Sequence, residues 1–176
     1  MIDTSRIKLV PFSEEAYKAI FNNNLDKLAE ILDIEKPALW TADDEVRENI
    51  PNYYQEFIDS GGNIIWGSFF YVLKDTKKLA GTGGFKGIPT KGGVVEIGYE
   101  ILPGFKNMGY ATEAADALVH HAFEHHAKSV RAYTTPDENA SIYVLRKLGM
   151  KYVENIPDPV KGEIWKWEIN RPLNFL

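Results

Sequence analysis

The chain has 176 residues, 44% hydrophobic and 12% aromatic, enough apolar surface for one self-supporting core and too little length for two ordinary ones. It has no cysteine, which excludes disulfides, thiolate metal sites and a cysteine nucleophile; it also has no apolar leader and no apolar run of about 18 residues, so a cytoplasmic protein without membrane contact is expected. The net charge of -5 is uneven: residues 1–60 hold thirteen acidic and six basic side chains, residues 61–176 twelve and fourteen, so the first third favours cationic ligands and the remainder suits a polyanion, without the dense basic patch that nucleic acid requires.

Arg6 to Phe12 alternates around Ile7, Leu9 and Pro11 as a short strand, and Ser13, followed by Glu14 and Glu15, is a good N-cap for a helix. Leu25, Leu28, Ile31 and Leu32 continue a helical period before a loop with Pro37 and Trp40. Thr41 with Asp44 reads as a capping box for a further helix through Val46, Ile50, Tyr54 and Phe57, which Pro51 is expected to break or kink. Gly61-Gly62 ends this helical part.

Ser68 to Leu73 and Leu79 to Phe85 then read as a hairpin about Asp75-Thr76, and Val94 to Leu102 as a third antiparallel strand. A long amphipathic helix is expected from about Gly109 to Ala127, with Ala111, Ala114, Ala115, Leu118 and Ala122 on one face. A buried strand at Ser129 to Thr134, a short helix from Asn139 to Leu148 closed by Gly149, and strands at about Met150 to Glu154 and Glu163 to Asn170 around a turn at Pro157-Asp158-Pro159 complete the chain. The expectation is one α/β domain over residues 1–176, with a mixed, mostly antiparallel sheet of about six to seven strands flanked by helices.

The stretch LPGFKNMGYATEAA, residues 102–115, lies between the third strand of this meander and the long helix. Gly104 and Gly109 keep the glycine spacing of a Walker loop, but Tyr110 and Ala111 replace its lysine and hydroxyl. Free backbone N–H groups at the helix start, beside the positive end of its dipole, can hold a diphosphate unaided. Lacking a cation and a magnesium ligand, the loop suits a diphosphate that stays intact, as in coenzyme A.

Lys106-Asn107-Met108-Gly109-Tyr110-Ala111 resembles the [QR]-x-x-G-x-[GA] loop of the GNAT superfamily of acyl-CoA-dependent N-acyltransferases, with lysine at the first place. The run Val95 to Leu118 resembles the branch with the ribosomal-protein alanine N-acetyltransferases, and ENASIYVLRKLGM, residues 138–150, resembles that branch's second motif. The resemblance covers roughly residues 5 to 170.

It implies a GNAT fold and an N-acetyltransferase that uses acetyl-CoA and no metal, by direct attack of an amine of a protein N-terminus or small molecule within a ternary complex. For the cofactor it implies Lys106, Asn107, Met108, Gly109, Tyr110, Ala111 and Thr112 around the diphosphate, backbone groups of Tyr99 and Ile101 along the pantetheine and thioester, and Asn139 in the second motif. Glu96 lies where a family base often sits and Glu100, two residues on, is the reserve; the alternative is that both are solvated. Gly98 marks either a bulge that splays the strand or a plain strand glycine. Trp40 and Tyr133 fall where the family binds the acceptor, although rings of this size also serve as core or lid. Leu145 replaces the tyrosine that often protonates the departing thiolate, and Ser141, one helical turn earlier on the same face, takes over as the group near the sulfur. Dimers are common in such families, so a homodimer is a further expected partner. The alternative to an enzyme is a catalytically silent acyl-CoA-binding or regulatory module on the same fold.

Two other patterns are set aside. His121 to His125 spells H-x-x-E-H, a zinc-protease signature, but lies at the far end of the long helix without a third ligand. Gly81 to Gly87 misses the last glycine of a dinucleotide fingerprint and leads to a turn and a strand, so its glycines read as places of close backbone approach.

Overall fold

The computed structural model describes residues 1–175. The short strand Ile2–Asp3 (β1) leads into Ile7–Pro11 (β2), followed by three helices, Glu14–Phe21 (α1), Leu25–Leu32 (α2) and Asp44–Asp59 (α3). The strands Ser68–Leu73 (β3), Leu79–Phe85 (β4) and Val94–Ile101 (β5) form the antiparallel meander. After a 3-10 turn at Pro103–Phe105 come Tyr110–Glu124 (α4), Ser129–Thr134 (β6), Ala140–Lys147 (α5), Lys151–Asp158 (β7) and Gly162–Asn170 (β8).

The eight strands make one mixed sheet in the order β1-β2-β3-β4-β5-β6-β8-β7, in which β5 and β6 are the single parallel pair among the described residues. The alternation of β3 divides two cores. Phe69, Tyr71 and Leu73 point to the side of α4 and α5, where Ala114, Leu118, Ala122, Ile142 and Leu145 are buried; Phe70 and Val72 point to the side of α1 to α3, with Tyr17, Leu28 and Ile50. The α4 stripe is mostly alanine, so the helix can lie close to the sheet.

The meander's glycines allow backbone contact. A Cβ on Gly81 would lie 2.1 Å from the Glu100 carbonyl oxygen, and one on Gly83 would lie 2.1 Å from the Tyr71 hydroxyl and 2.5 Å from the Gly98 carbonyl oxygen.

Several local expectations are corrected. The sheet has eight strands where about six to seven were expected, because β1 pairs over only two residues and is too short to leave a periodicity. Pro51 does not break α3: it lies on the solvent side, where the carbonyl it leaves unpaired can meet water. Thr41 is not the cap of α3. Asp43 is, its carboxylate accepting from the amides of Glu45 (2.8 Å) and Val46 (3.3 Å). Pro157 and Asp158 belong to β7, since an edge strand tolerates a missing donor; the turn follows, with Asp158 Oδ1 accepting from the amides of Val160 (2.9 Å) and Lys161 (2.7 Å).

Candidate active site

The site is built by two strands that part. β5 and β6 pair only from Val94–Ser129 to Glu96–Arg131, after which β5 continues along β4 to Ile101 and β6 along β8 to Thr134. The Lys86 amide donates to the Glu96 carbonyl (3.0 Å) and the Leu102 amide to the Ala80 carbonyl (2.8 Å), so the even-numbered residues of β5 bond toward β4. The amides of Tyr99 and Ile101, beyond the last pair at Glu96–Arg131, therefore face the gap without a strand partner. Gly98 is not a bulge: it stands opposite Gly84 in unbroken register, and its missing side chain leaves room for Lys86, whose Cε lies 3.5 Å from where a Cβ would be. The opening comes from the end of the β5–β6 ladder instead.

A cleft of about 240 Å³ occupies the gap, lined among others by Trp40, Glu96, Tyr99, Glu100, Tyr133 and Ser141. Glu96 is 14% exposed at its side chain, with Oε1 3.2 Å from Lys86 Nζ and Oε2 3.5 Å from Arg131 Nε. Burial works against the charge on Lys86, but the Glu96 carboxylate outweighs it and raises the ammonium above its ordinary value. Glu100 is engaged differently: its carboxylate accepts from the Thr41 hydroxyl and the Ala42 amide, both at 2.6 Å, and so holds the loop between α2 and α3 against β5. Trp40 in that loop is buried, edge-on to Phe12, serving as core on one side and cleft wall on the other. Tyr133 lies under the Arg131 guanidinium at 5.7 Å.

Across the gap, Tyr99 donates from its hydroxyl to the Ser141 carbonyl (3.3 Å), tying α5 to β5; burial raises the phenol well above its ordinary pKa. Ser141 and Leu145 both line the cleft. Asn139 is the N-cap of α5, its Oδ1 accepting from the Ile142 amide (3.2 Å) while its Nδ2 donates to the Asp137 carbonyl (2.8 Å) and the Thr135 hydroxyl (3.2 Å). Glu138, just before it, takes the Arg146 guanidinium at two points.

The tip of α4 lies outside the cleft lining. Asn107 (φ 62°) and Gly109 (φ 83°) are left-handed on either side of exposed Met108, and Gly109 caps α4 with no side-chain bond. Lys106, 3-10 cap at φ -67°, is exposed as well. The amides of Gly109, Tyr110, Ala111 and Thr112 form the unsatisfied first turn, since the first return bond is Glu113 N–H to the Gly109 carbonyl (3.1 Å). These groups fit a diphosphate, and the gap with its unpartnered β5 amides fits an extended amide-bearing arm.

Sequence reasoning missed the groups that hold the site. Arg6 and Glu113 bind one another at the tip of α4, Lys86 and Arg131 flank Glu96, and Thr41 bonds to Glu100. The H-x-x-E-H histidines are occupied in packing: His121 Nε2 is 3.1 Å from the Ile65 carbonyl, and His125 Nδ1 is 2.8 Å from the His121 carbonyl. Among the described residues, no group of three or more His, Asp or Glu is placed to hold a metal ion, and no helix is long and apolar enough to cross a membrane.

Known proteins agree with this architecture. A family model described as an acetyltransferase (GNAT) domain matches residues 6–151. The N-acetyltransferase YjdG of Bacillus subtilis (strain 168) is 27% identical over 150 residues, which cover 85% of this chain and 88% of that protein. Among solved structures, an acetyltransferase (GNAT family) from Bacillus anthracis superposes with a TM-score of 0.63 at 20% identity, covering 96% of this chain and 97% of that one. RimL, a ribosomal L7/L12 alpha-N-protein acetyltransferase in complex with coenzyme A, superposes with a TM-score of 0.64 at 16% identity over 95% of each chain. At these identities the superpositions speak for the fold alone.

Proposed function

The chain belongs to the GNAT acetyltransferases, an acyl-CoA-dependent family, and on that premise we propose that it acetylates a cationic primary amine by direct attack on acetyl-CoA, with both substrates held at the split between β5 and β6. The observation that carries this reading is the conjunction of two sets of unpartnered amides, on β5 beyond Ile97 facing the gap and on the first turn of α4, the helix that follows β5. Strands β1 to β8 span residues 2–170 and form one sheet, which supports a single domain acting as the unit. The working compartment we propose is the cytoplasm.

The loop from Lys106 to Met108 and the amides of Gly109 to Thr112 take the diphosphate, with the α4 dipole favouring its charge. The Tyr99 and Ile101 amides orient the pantetheine arm and donate to the thioester oxygen as it gains negative charge; one such donor is worth about 3 kcal/mol in the transition state.

Glu96, on the α1–α3 side of β5, removes a proton from the acceptor's ammonium directly or through a water. Lys86 Nζ stands 3.2 Å from Oε1, so the acceptor ammonium takes that place by displacing the half-exposed Lys86 side chain. The amine nitrogen then bonds to the acetyl carbon, the carbon–sulfur bond breaks, the Ser141 hydroxyl gives its proton to the departing thiolate, and the second amine proton restores the serine. The acceptor enters beside Trp40, Tyr133 and the Glu100-bound loop, and the acidic character of residues 1–60 favours a cationic one. Both a protein N-terminus and a small-molecule amine meet that description. We place no second subunit in the reaction; a homodimer would form outside the cleft.

The test is thiol release from acetyl-CoA across a panel of amines, beside calorimetry with coenzyme A. Release with at least one cationic primary amine is expected. Coenzyme A binding without release on any amine would instead identify a silent acyl-CoA-binding module.

A further inference from the structure

We propose that Arg6 is a positioning residue for cofactor binding: with Glu113 it forms a latch that holds the diphosphate loop and the first turn of α4 in their binding geometry. The proposal rests on the assignment of that turn to the diphosphate.

Arg6 stands just before β2, 107 residues from Glu113, and touches the tip of α4 at successive points. Its Nη1 donates to the Met108 carbonyl (2.9 Å), its guanidinium lies 4.6 Å above the Tyr110 ring, and its Nε donates to Glu113 Oε2 (2.7 Å). Nη2 is 3.3 Å from where a Cβ on Gly109 would stand. One planar side chain thus fixes the last loop residue against the first and fourth residues of the helix.

The same segment closes around the other carboxylate oxygen. Glu113 Oε1 accepts from the Thr4 hydroxyl (2.6 Å), the Ser5 hydroxyl (3.1 Å) and the Arg6 amide (2.7 Å). The segment is itself anchored, because the Thr4 amide donates to the Ile7 carbonyl (3.0 Å), the Thr4 hydroxyl accepts from the Ile7 amide (3.1 Å) and the Lys74 amide donates to the Arg6 carbonyl (3.0 Å). Partial burial would raise the Glu113 carboxyl, but the bonds from Thr4, the Arg6 amide and guanidinium, and Ser5 overcome it and hold the group at about 2.

Two physical effects follow for the cradle. The loop at 106–109 is exposed and contains two left-handed residues, so a free loop would sample many conformations and lose that freedom on binding; bonds made beforehand remove the loss. Glu113 also places a negative charge one turn from a site for a dianion. Arg6 neutralises it and holds the Met108 carbonyl, whose oxygen would otherwise be free to face the phosphates.

The experiment is calorimetry with coenzyme A on the wild type, Arg6→Gln and Arg6→Lys, with melting temperatures and hydrogen exchange of the unliganded proteins. Arg6→Gln is expected to weaken binding by about tenfold or more and to speed exchange at Glu113 and the α4 amides that follow it, which bond back to the first turn, while exchange of the β2–β3 amides changes little. Arg6→Lys keeps the charge but not the three-point geometry, and should recover only part of the affinity. Unchanged affinity in Arg6→Gln, full recovery in Arg6→Lys, or a loss that merely tracks melting and β2–β3 exchange would overturn the latch. A wild type that does not bind coenzyme A would overturn the underlying cofactor assignment, which is seen before any variant is made.

Discussion

The Thr41 hydroxyl donates a 2.6 Å hydrogen bond to Glu100 across 59 residues of chain, so the loop that walls the cleft is fastened to the strand that carries the proposed base. Thr41 is buried, and its partner is a carboxylate oxygen, a stronger acceptor than a neutral carbonyl. Thr41→Val is expected to cost about 1 to 3 kcal/mol in chemical denaturation. If the loop binds the acceptor, the variant also raises the acceptor's KM without changing coenzyme A affinity. A denaturation midpoint equal to wild type would refute the fastening.

Glu96 is predicted to matter to turnover and not to cofactor binding. Glu96→Gln keeps the size and removes the base, so turnover should fall by about 10²-fold or more at neutral pH. Calorimetry with coenzyme A should be unchanged, since the proposed diphosphate site at the tip of α4 lies outside this cleft. Undiminished turnover removes Glu96 from the mechanism.

Gly109 has a φ of 83° and Arg6 Nη2 close to its missing side chain. Gly109→Asp sets a carboxylate at the phosphate cradle on a backbone that side chains rarely adopt, and should abolish measurable coenzyme A binding. Gly109→Ala carries the strain without the charge, about 1 kcal/mol or slightly more, and should bind more weakly than wild type but detectably. Wild-type affinity in Gly109→Asp would sink the loop assignment.

Acid should release the bonds around Glu113. Its carboxyl sits at about 2 in the fold against an ordinary value of 4.5, so the folded state prefers the charged form. That contribution to stability is present above pH 4.5 and is lost as the pH falls through about 2. The stability difference between wild type and Glu113→Gln, measured by urea denaturation at stepped pH, should therefore narrow as the pH falls below about 5. A difference independent of pH would show that the carboxylate charge does not stabilise the fold.

Gly83→Ala tests the close approach in the meander. Its new methyl group would fall 2.1 Å from the Tyr71 hydroxyl and 2.5 Å from a backbone oxygen of β5, and neither has room to withdraw inside a paired sheet. A destabilisation of about 3 kcal/mol or failure to fold is expected, since overpacking of a rigid core is seldom absorbed. A soluble variant with the wild-type melting temperature would refute it.

What the sequence made legible was local. The β3–β4 hairpin, the α4 stripe and the Asn139 cap each carry their signal within a few residues: alternation, a helical period, a polar side chain before an apolar turn. The boundary of α3 was misread because Thr41 and Asp43 are both good caps, and the choice was settled by Glu100, which engages the threonine from another part of the chain. In sequence Arg6 reads only as the first residue of a short strand; its bonds to Met108 and Glu113 exist only once β2 and the tip of α4 are brought together. Candidate groups could be named from spacing, but the cations around Glu96 are Lys86, just after β4, and Arg131 of β6, and have no signature in sequence.

The ladder between β5 and β6 ends after three residue pairs. The opening is thus a property of main-chain topology, and replacing the side chains of its rim, Trp40, Tyr133 and the α2–α3 loop, would leave its place in the sheet unchanged. Such a scaffold changes its guests by redecorating the doorway while the hinge-posts stay where they are.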